Sequence, residues 1–190
     1  MIQAVIFDCF GVLTTDGWKQ IREMYFAQDS ELLQRSLDMD KAVNVGMTSY
    51  DEFLKEISDM TGLSYAEVNS RLNGKSPNTQ LFDYIRRELK PHYKIGMLSN
   101  AADNWLTELF EPDQVALFDE AVLSYQVGMV KPEPAMYEQI ATKLGVLPEN
   151  CLFIDDSERY CTAAKETGME AIWHQDTAAT IEQIREKLYA

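Results

Sequence analysis

The stretch VIFDCFGVL, from Val5 to Leu13, decides the fold. Ala4–Phe7 is an unbroken apolar run that stops at Asp8, and Gly11 follows shortly after. An apolar run without polar alternation reads as a strand covered on both faces, the habit of parallel sheets. Ile95–Leu98, Glu120–Ser124, Cys151–Ile154 and Ala171–Trp173 have the same character. Segments with helical spacing separate them. Gln80–Leu89 follows the capping candidates Asn78 and Thr79, and Pro134–Leu144 opens with proline and stops at Gly145. Ser157–Thr167 stops at Gly168, and Thr177–Leu188 is amphipathic. Strand alternating with helix predicts an α/β fold, a Rossmann-like three-layer parallel sheet.

Trp18–Arg71 breaks the alternation, with helical spacing over Lys19–Gln28, Ser30–Asp38, Ser49–Asp59 and Ser64–Leu72. Thr48 with Glu52, and Ser64 with Glu67, read as helix starts, the second with capping-box spacing. The expected organisation is a core of residues 1–15 and 78–190 with a small all-helical cap over 16–77, closing near NGKSPN. So much chain between neighbouring strands predicts that the insertion covers something. Trp18, Tyr25, Phe26, Tyr50 and Phe53 are available to line it, or to form its own core.

The bulk composition excludes several functions. The chain has 190 residues, and 17 Lys+Arg against 31 Asp+Glu give a formal charge of −14. Such a surface repels nucleic acid and anionic membranes, so neither is an expected partner. No apolar run approaches the ~20 residues a membrane helix needs, and MIQAVIF is too short for a signal peptide's apolar region. Cys9, Cys151 and Cys161 lack CxxC spacing, which favours a reducing compartment, and the expected location is cytoplasmic. Cys9 reads as packing, and His92 and His174 lack metal-ligand spacing. An anionic substrate must therefore be drawn in by a metal ion, a lysine or aimed N–H groups.

In open α/β sheets ligands bind beyond the carboxyl ends of the strands. There the sequence places Asp8, then Ser99-Asn100, then a loop carrying Lys131, then Asp155-Asp156-Ser157, then His174. Each alone reads as a turn former, a helix cap or a solvated lysine. Together they mark one sheet edge. Asp8, Asp155 and Asp156 would repel one another unless a hard divalent cation joined them, and oxygen-only ligands suit Mg²⁺. Ser99, Asn100 and nearby N–H groups could then hold a phosphoryl group, with Lys131 adding charge and Gly11 letting the backbone approach. Asp8 would be the nucleophile, forming an aspartyl phosphate that water hydrolyses.

These segments resemble the motifs of the haloacid dehalogenase (HAD) superfamily, mostly phosphatases. VIFDCFGVL looks like the first motif, GMLSNAA the second, GMVKPEPAMYEQIATKLG the third and CLFIDDSERYCTAAKETGM the fourth. The resemblance implies a helical cap after the first motif, Asp8 as nucleophile, and Ser99 and Lys131 on the phosphoryl group. It implies Mg²⁺ held by Asp8, Asp156 and the Phe10 carbonyl, with Asp155 a ligand through water or an outer-sphere partner. It also implies a small phosphorylated metabolite as substrate.

Two positions depart from the pattern. Phe10 stands where these phosphatases usually carry an aspartate that protonates the leaving oxygen, help typically worth about 10²–10⁴ in rate. Three readings follow: a phosphatase with a good leaving group or an acid from elsewhere, such as the cap; a metal-independent 2-haloacid dehalogenase; or a weakly catalytic binder of phosphorylated ligands or a partner. The Asp155-Asp156 pair opposes the dehalogenase, whose anionic substrate it would repel. Tyr160 replaces an Asp or Asn common in relatives, which removes outer support from the metal. A receiver-type signalling domain is disfavoured, since its acidic pair comes early and it has no helical insertion.

Overall fold

A computed structural model describes residues 1–74 and 76–189. Lys75, in the stretch expected to close the cap, and Ala190, in the expected core, lie outside the described residues. The sheet has five parallel strands, β1 (Ala4–Phe7), β2 (Lys94–Ser99), β3 (Glu120–Leu123), β4 (Cys151–Asp155) and β5 (Glu170–Trp173), in the order β3-β2-β1-β4-β5. β1 is central, and every residue in it is fully buried, which its lack of polar alternation requires.

The chain between β1 and β2 is helical. α1 (Gly17–Ile21) continues into a π-helical turn, Arg22–Phe26, and is followed by α2 (Ser30–Asn44), α3 (Tyr50–Thr61) and α4 (Tyr65–Leu72). These helices enclose a core of their own, including Ile21, Phe26, Phe53, Leu54, Ile57 and Val68. Capping boxes open α3 at Ser49 with Glu52 and α4 at Ser64 with Glu67. The first begins one residue later than Thr48, whose hydroxyl instead donates to Glu52 at 3.0 Å.

Helices cover both faces of the sheet. α5 (Thr79–Tyr84), extended by a π-helical turn at Ile85–Leu89, is followed by the single turns α6 (Leu106–Leu109), α7 (Pro112–Val115) and α8 (Ser124–Val127). Then come α9 (Pro134–Leu144), α10 (Glu158–Glu166) and α11 (Thr177–Tyr189). Alternation along β1 sends Val5 and Phe7 to one core with Leu81, Ile85 and Ile184, and Ala4 and Ile6 to the other with Tyr137 and Ile140. None of the helices described is long and apolar enough to cross a membrane.

Two fastenings place the insertion over the sheet edge. At its neck Thr14 and Pro77 form an antiparallel bridge, and the Asn78 N–H donates to the Leu13 carbonyl at 2.8 Å. The Asn78 side chain also donates to the Val12 carbonyl at 3.0 Å and to Thr177 Oγ1 at 2.8 Å. At the far side the buried Ser124 hydroxyl donates to the Asn44 carbonyl at the end of α2 (2.7 Å) and accepts from the Ala101 N–H (2.9 Å).

Candidate active site

Asp8 follows β1, and Asp155 ends β4, the neighbouring strand, with Asp156 next to it. Oxygens of all three carboxylates lie within 4.8 Å of one another. Lys131, which leads into α9, reaches back into this cluster. Its ammonium lies 2.8 Å from Asp8 Oδ1 and 2.6 Å from Asp155 Oδ2, and all three side chains are shielded from solvent. The Lys131 N–H donates to Asn100 Oδ1 at 2.8 Å, and the Asn100 amide donates to the Lys131 carbonyl at 3.2 Å. Asn100 therefore orders the lysine's backbone and lines the cavity beside it.

The cluster is short of positive charge. Burial pushes the Asp8 carboxyl up to about 8, with Lys131 opposing and Asp155 and Asp156 adding to the rise. Burial also raises Asp155 against the pull of Lys131. Lys131 is itself disfavoured by burial, but Asp155 and Asp8 outweigh that and hold it charged. Lys131 alone does not bring Asp8 and Asp155 back to the ordinary carboxylate range. Hard oxygen donors from three converging carboxylates suit a small divalent cation, and Gly11 packs directly against one of them. A Cβ on Gly11, whose φ is +84°, would stand 2.6 Å from the Asp156 carboxyl carbon.

A cavity of about 340 Å³ opens between this edge and the insertion. From the core it is lined by Asp8, Phe10, Asn100, Trp105, Lys131, Asp156, Arg159 and Tyr160, and from the insertion chiefly by Asp16, Lys19, Arg22, Asp40 and three aromatics. Of the expected aromatics Trp18, Tyr50 and Phe53 are these three, while Phe26 is buried in the insertion's core and Tyr25 packs against it. The lining carries four acids and four bases. In a chain of charge −14 it is a neutral patch, which a divalent ion would turn attractive to phosphate.

Not every expected site residue reaches this cavity. Ser99 is buried at the end of β2 and lines a separate void of about 10 Å³ with Cys9, Phe10 and Trp105. Its hydroxyl has the Asn100 carbonyl as partner, at 3.5 Å. Asp155 stands behind Asp8 and Lys131, accepting also from the Ser157 N–H at 2.8 Å. Cys9 is buried, and that burial raises its thiol well above the ordinary value, consistent with packing. His174 is a structural tie, its Nδ1 lying 2.9 Å from Thr180 Oγ1. Phe10 meets Trp105 edge to face at 5.5 Å, and Trp105 meets Tyr50 at 4.9 Å, which makes one wall apolar. The Tyr160 ring lies 5.0 Å from the Lys131 ammonium, so at this departure from the family pattern an aromatic face steadies the lysine.

Sequence reasoning missed the polar residues that the insertion contributes. Asp16 caps α1 by accepting from the Lys19 N–H at 2.9 Å, and Lys19 extends its ammonium to 2.7 Å from Asp156 Oδ2. Asp16 before a helix reads as an ordinary cap, and nothing local marks Lys19, whose partner is 137 residues away.

The family model for haloacid dehalogenase-like hydrolases matches residues 2–168. The chain belongs to that family. Relatives include phosphatase MT3486 of Mycobacterium tuberculosis, 29% identical, with 90% of this chain and 86% of the relative covered. Another is D-ribitol-5-phosphate phosphatase of Bacteroides thetaiotaomicron, 28% identical, covering 70% of this chain and 69% of the relative. A HAD family enzyme of Bacteroides thetaiotaomicron, solved in complex with magnesium and inorganic phosphate, shares the fold at a TM-score of 0.66. It is 23% identical, with 95% of this chain and 99% of that one aligned. This HAD protein is a phosphatase-type hydrolase.

Proposed function

We propose that the protein is a Mg²⁺-dependent hydrolase of small phosphorylated metabolites, with residues 16–77 as the cap that encloses the substrate. The convergence of Asp8, Asp155 and Asp156 around a single buried lysine carries this reading. Asp8, Asp156 and the Phe10 carbonyl hold the ion in it, and Asp155 supports it from behind Lys131. The fold relative solved with magnesium and inorganic phosphate supports the choice of ion. Bound Mg²⁺ would supply charge to the carboxylates and to the phosphoryl oxygens.

The remaining steps use the chain's own groups. Asp8 attacks phosphorus as a carboxylate, the bond to the leaving oxygen breaks, and an aspartyl phosphate forms. Lys131 holds the Asp8 carboxylate in line and contributes charge to the phosphoryl oxygens. Gly11 lets the loop backbone approach the phosphoryl group and Asn100 flanks it, while Ser99 joins them by turning its hydroxyl from the smaller void. Water then attacks the phosphorus and frees Asp8. The aromatic wall and the insertion's polar residues select the leaving group.

The test is hydrolysis of p-nitrophenyl phosphate, acetyl phosphate and sugar phosphates by purified protein, with Mg²⁺ and with EDTA. Activity is expected with Mg²⁺ alone and should vanish in Asp8→Asn. Equal activity in wild type and Asp8→Asn would overturn the reading.

A further inference from the structure

We propose that Lys19, carried by the helical insertion, belongs to the reacting centre: its ammonium stabilises negative charge on the leaving oxygen, the task for which Phe10 offers no group. The inference rests on the hydrolysis proposed above and adds a residue to it.

Lys131 serves Asp8 and Asp155, which leaves Asp156 as the carboxylate of the cluster that it does not pair. Lys19 fills that position, crossing from the insertion to within 2.7 Å of Asp156 Oδ2. Its placement is built into the fold. The Asp16 side chain caps α1 through the Lys19 N–H itself. Gly17 lets α1 seat against the end of α4, where a Cβ would run into the Arg71 carbonyl oxygen. Both contacts set α1 within the insertion, and the ion pair with Asp156 brings the ammonium to the wall of the cavity that Asp8 also lines.

A fastening role explains this poorly. The Lys19 side chain is 45% exposed, and an ion pair with so exposed a partner contributes little to stability. The cap already has its neck and the Ser124–Asn44 contact to hold it. What the pair does provide is a cation from the insertion in the wall of the same cavity that Asp8 lines, within reach of a leaving group held there. The Phe10, Trp105 and Tyr50 wall offers no acid there. As the bond from phosphorus breaks, its electron pair goes to the leaving oxygen, and Lys19 holds that charge. Water gives this oxygen its proton, and the hydroxide left is neutralised by the proton that the attacking water later releases. Lys19 also competes with the cation for Asp156, so its removal has a consequence visible without turnover.

The experiment compares wild type, Lys19→Met and Lys19→Arg on a series of aryl phosphates from p-nitrophenyl to phenyl to p-methoxyphenyl phosphate, and titrates each protein with Mg²⁺ by calorimetry without substrate. In Lys19→Met, kcat/KM should fall about 10²-fold for the poorest leaving group and only about threefold for p-nitrophenyl phosphate, as expected for losing one group aimed at developing charge. Lys19→Arg should recover most of the loss, and Lys19→Met should bind Mg²⁺ more tightly than wild type. Equal losses across the series, or unchanged Mg²⁺ affinity, would overturn the role of Lys19. Asp8→Asn run alongside separates the two ideas: full activity there would overturn the hydrolytic reading itself, whereas its inactivity with equal losses in Lys19→Met removes Lys19 alone.

Discussion

Gly11 and Asp156 touch so closely that a Cβ on the glycine would stand 2.6 Å from the carboxyl carbon of the aspartate. The loop after the central strand thus closes onto the end of its neighbour with no space for a side chain. Gly11→Ala should push Asp156 aside and weaken Mg²⁺ binding by about 10–100-fold, the usual effect of disturbing a ligand's support. Because φ is +84°, the variant should also lose about 1 kcal/mol or more of stability. Mg²⁺ titration and urea unfolding check the two effects separately.

Lys131→Met should be the most damaging change in the site. It leaves Asp8 and Asp155 buried without their shared counterion, and breaking a buried pair costs about 3–5 kcal/mol. Activity should disappear as well. Adding Asp155→Asn to this variant removes one of the stranded charges and should restore much of the stability while leaving activity absent. Urea melts of the single and double variants measure the recovery.

Phe10→Asp places a carboxyl two residues from Asp8, the proposed nucleophile, at the cost of the edge contact with Trp105. Hydrolysis of alkyl phosphates should rise by about 10²-fold, the lower end of general-acid assistance, with acetyl phosphate barely affected. Parallel rate measurements on both substrates decide this, and equal gains would mean that leaving-group protonation does not limit turnover.

Asp40, on the insertion's wall of the cavity, supplies a pH dependence. Burial pushes its carboxyl up to about 6; Asp16 adds to the rise, while Arg22 and the Asn44 amide oppose it. The folded state therefore keeps this proton over a range where the unfolded chain has lost it. Ionisation destabilises the fold progressively from about pH 4 to about 6 and by a constant amount above. Asp40→Asn should match wild type in melting temperature below pH 4, gain on it through that window, and hold a fixed advantage at higher pH. Melting curves at pH 3.5, 5, 6 and 8 test the prediction.

Much of the fold is legible because buried parallel strands announce themselves as apolar runs. All five observed strands overlap the runs read from sequence, displaced at most by a residue or so at the ends. The π-helical turns at Arg22–Phe26 and Ile85–Leu89 were not readable, since one extra residue in a turn leaves no mark on local spacing. Nor were the four-residue helices α6, α7 and α8, which are too short to show a period. The convergence of Asp8, Asp155 and Asp156 was legible because strand ends locate them, and the approach of Lys131 because its loop follows the third strand. Lys19, Arg22 and Asp40 were not, because their relation to that edge exists only after the insertion folds over it. Ser99 shows the opposite limit: its position could be read from sequence, but the direction of its hydroxyl could not.

The insertion departs from the core at Thr14 and returns at Pro77, directly beside its starting point. A detour whose two ends already meet asks nothing of the strands that flank it, and lengthening it adds little closure entropy. The catalytic edge and its roof are thus separable inheritances. A different helical segment could be spliced across the Thr14–Pro77 joint, giving the same proposed nucleophile a new clientele while the five-stranded chassis stays as it is.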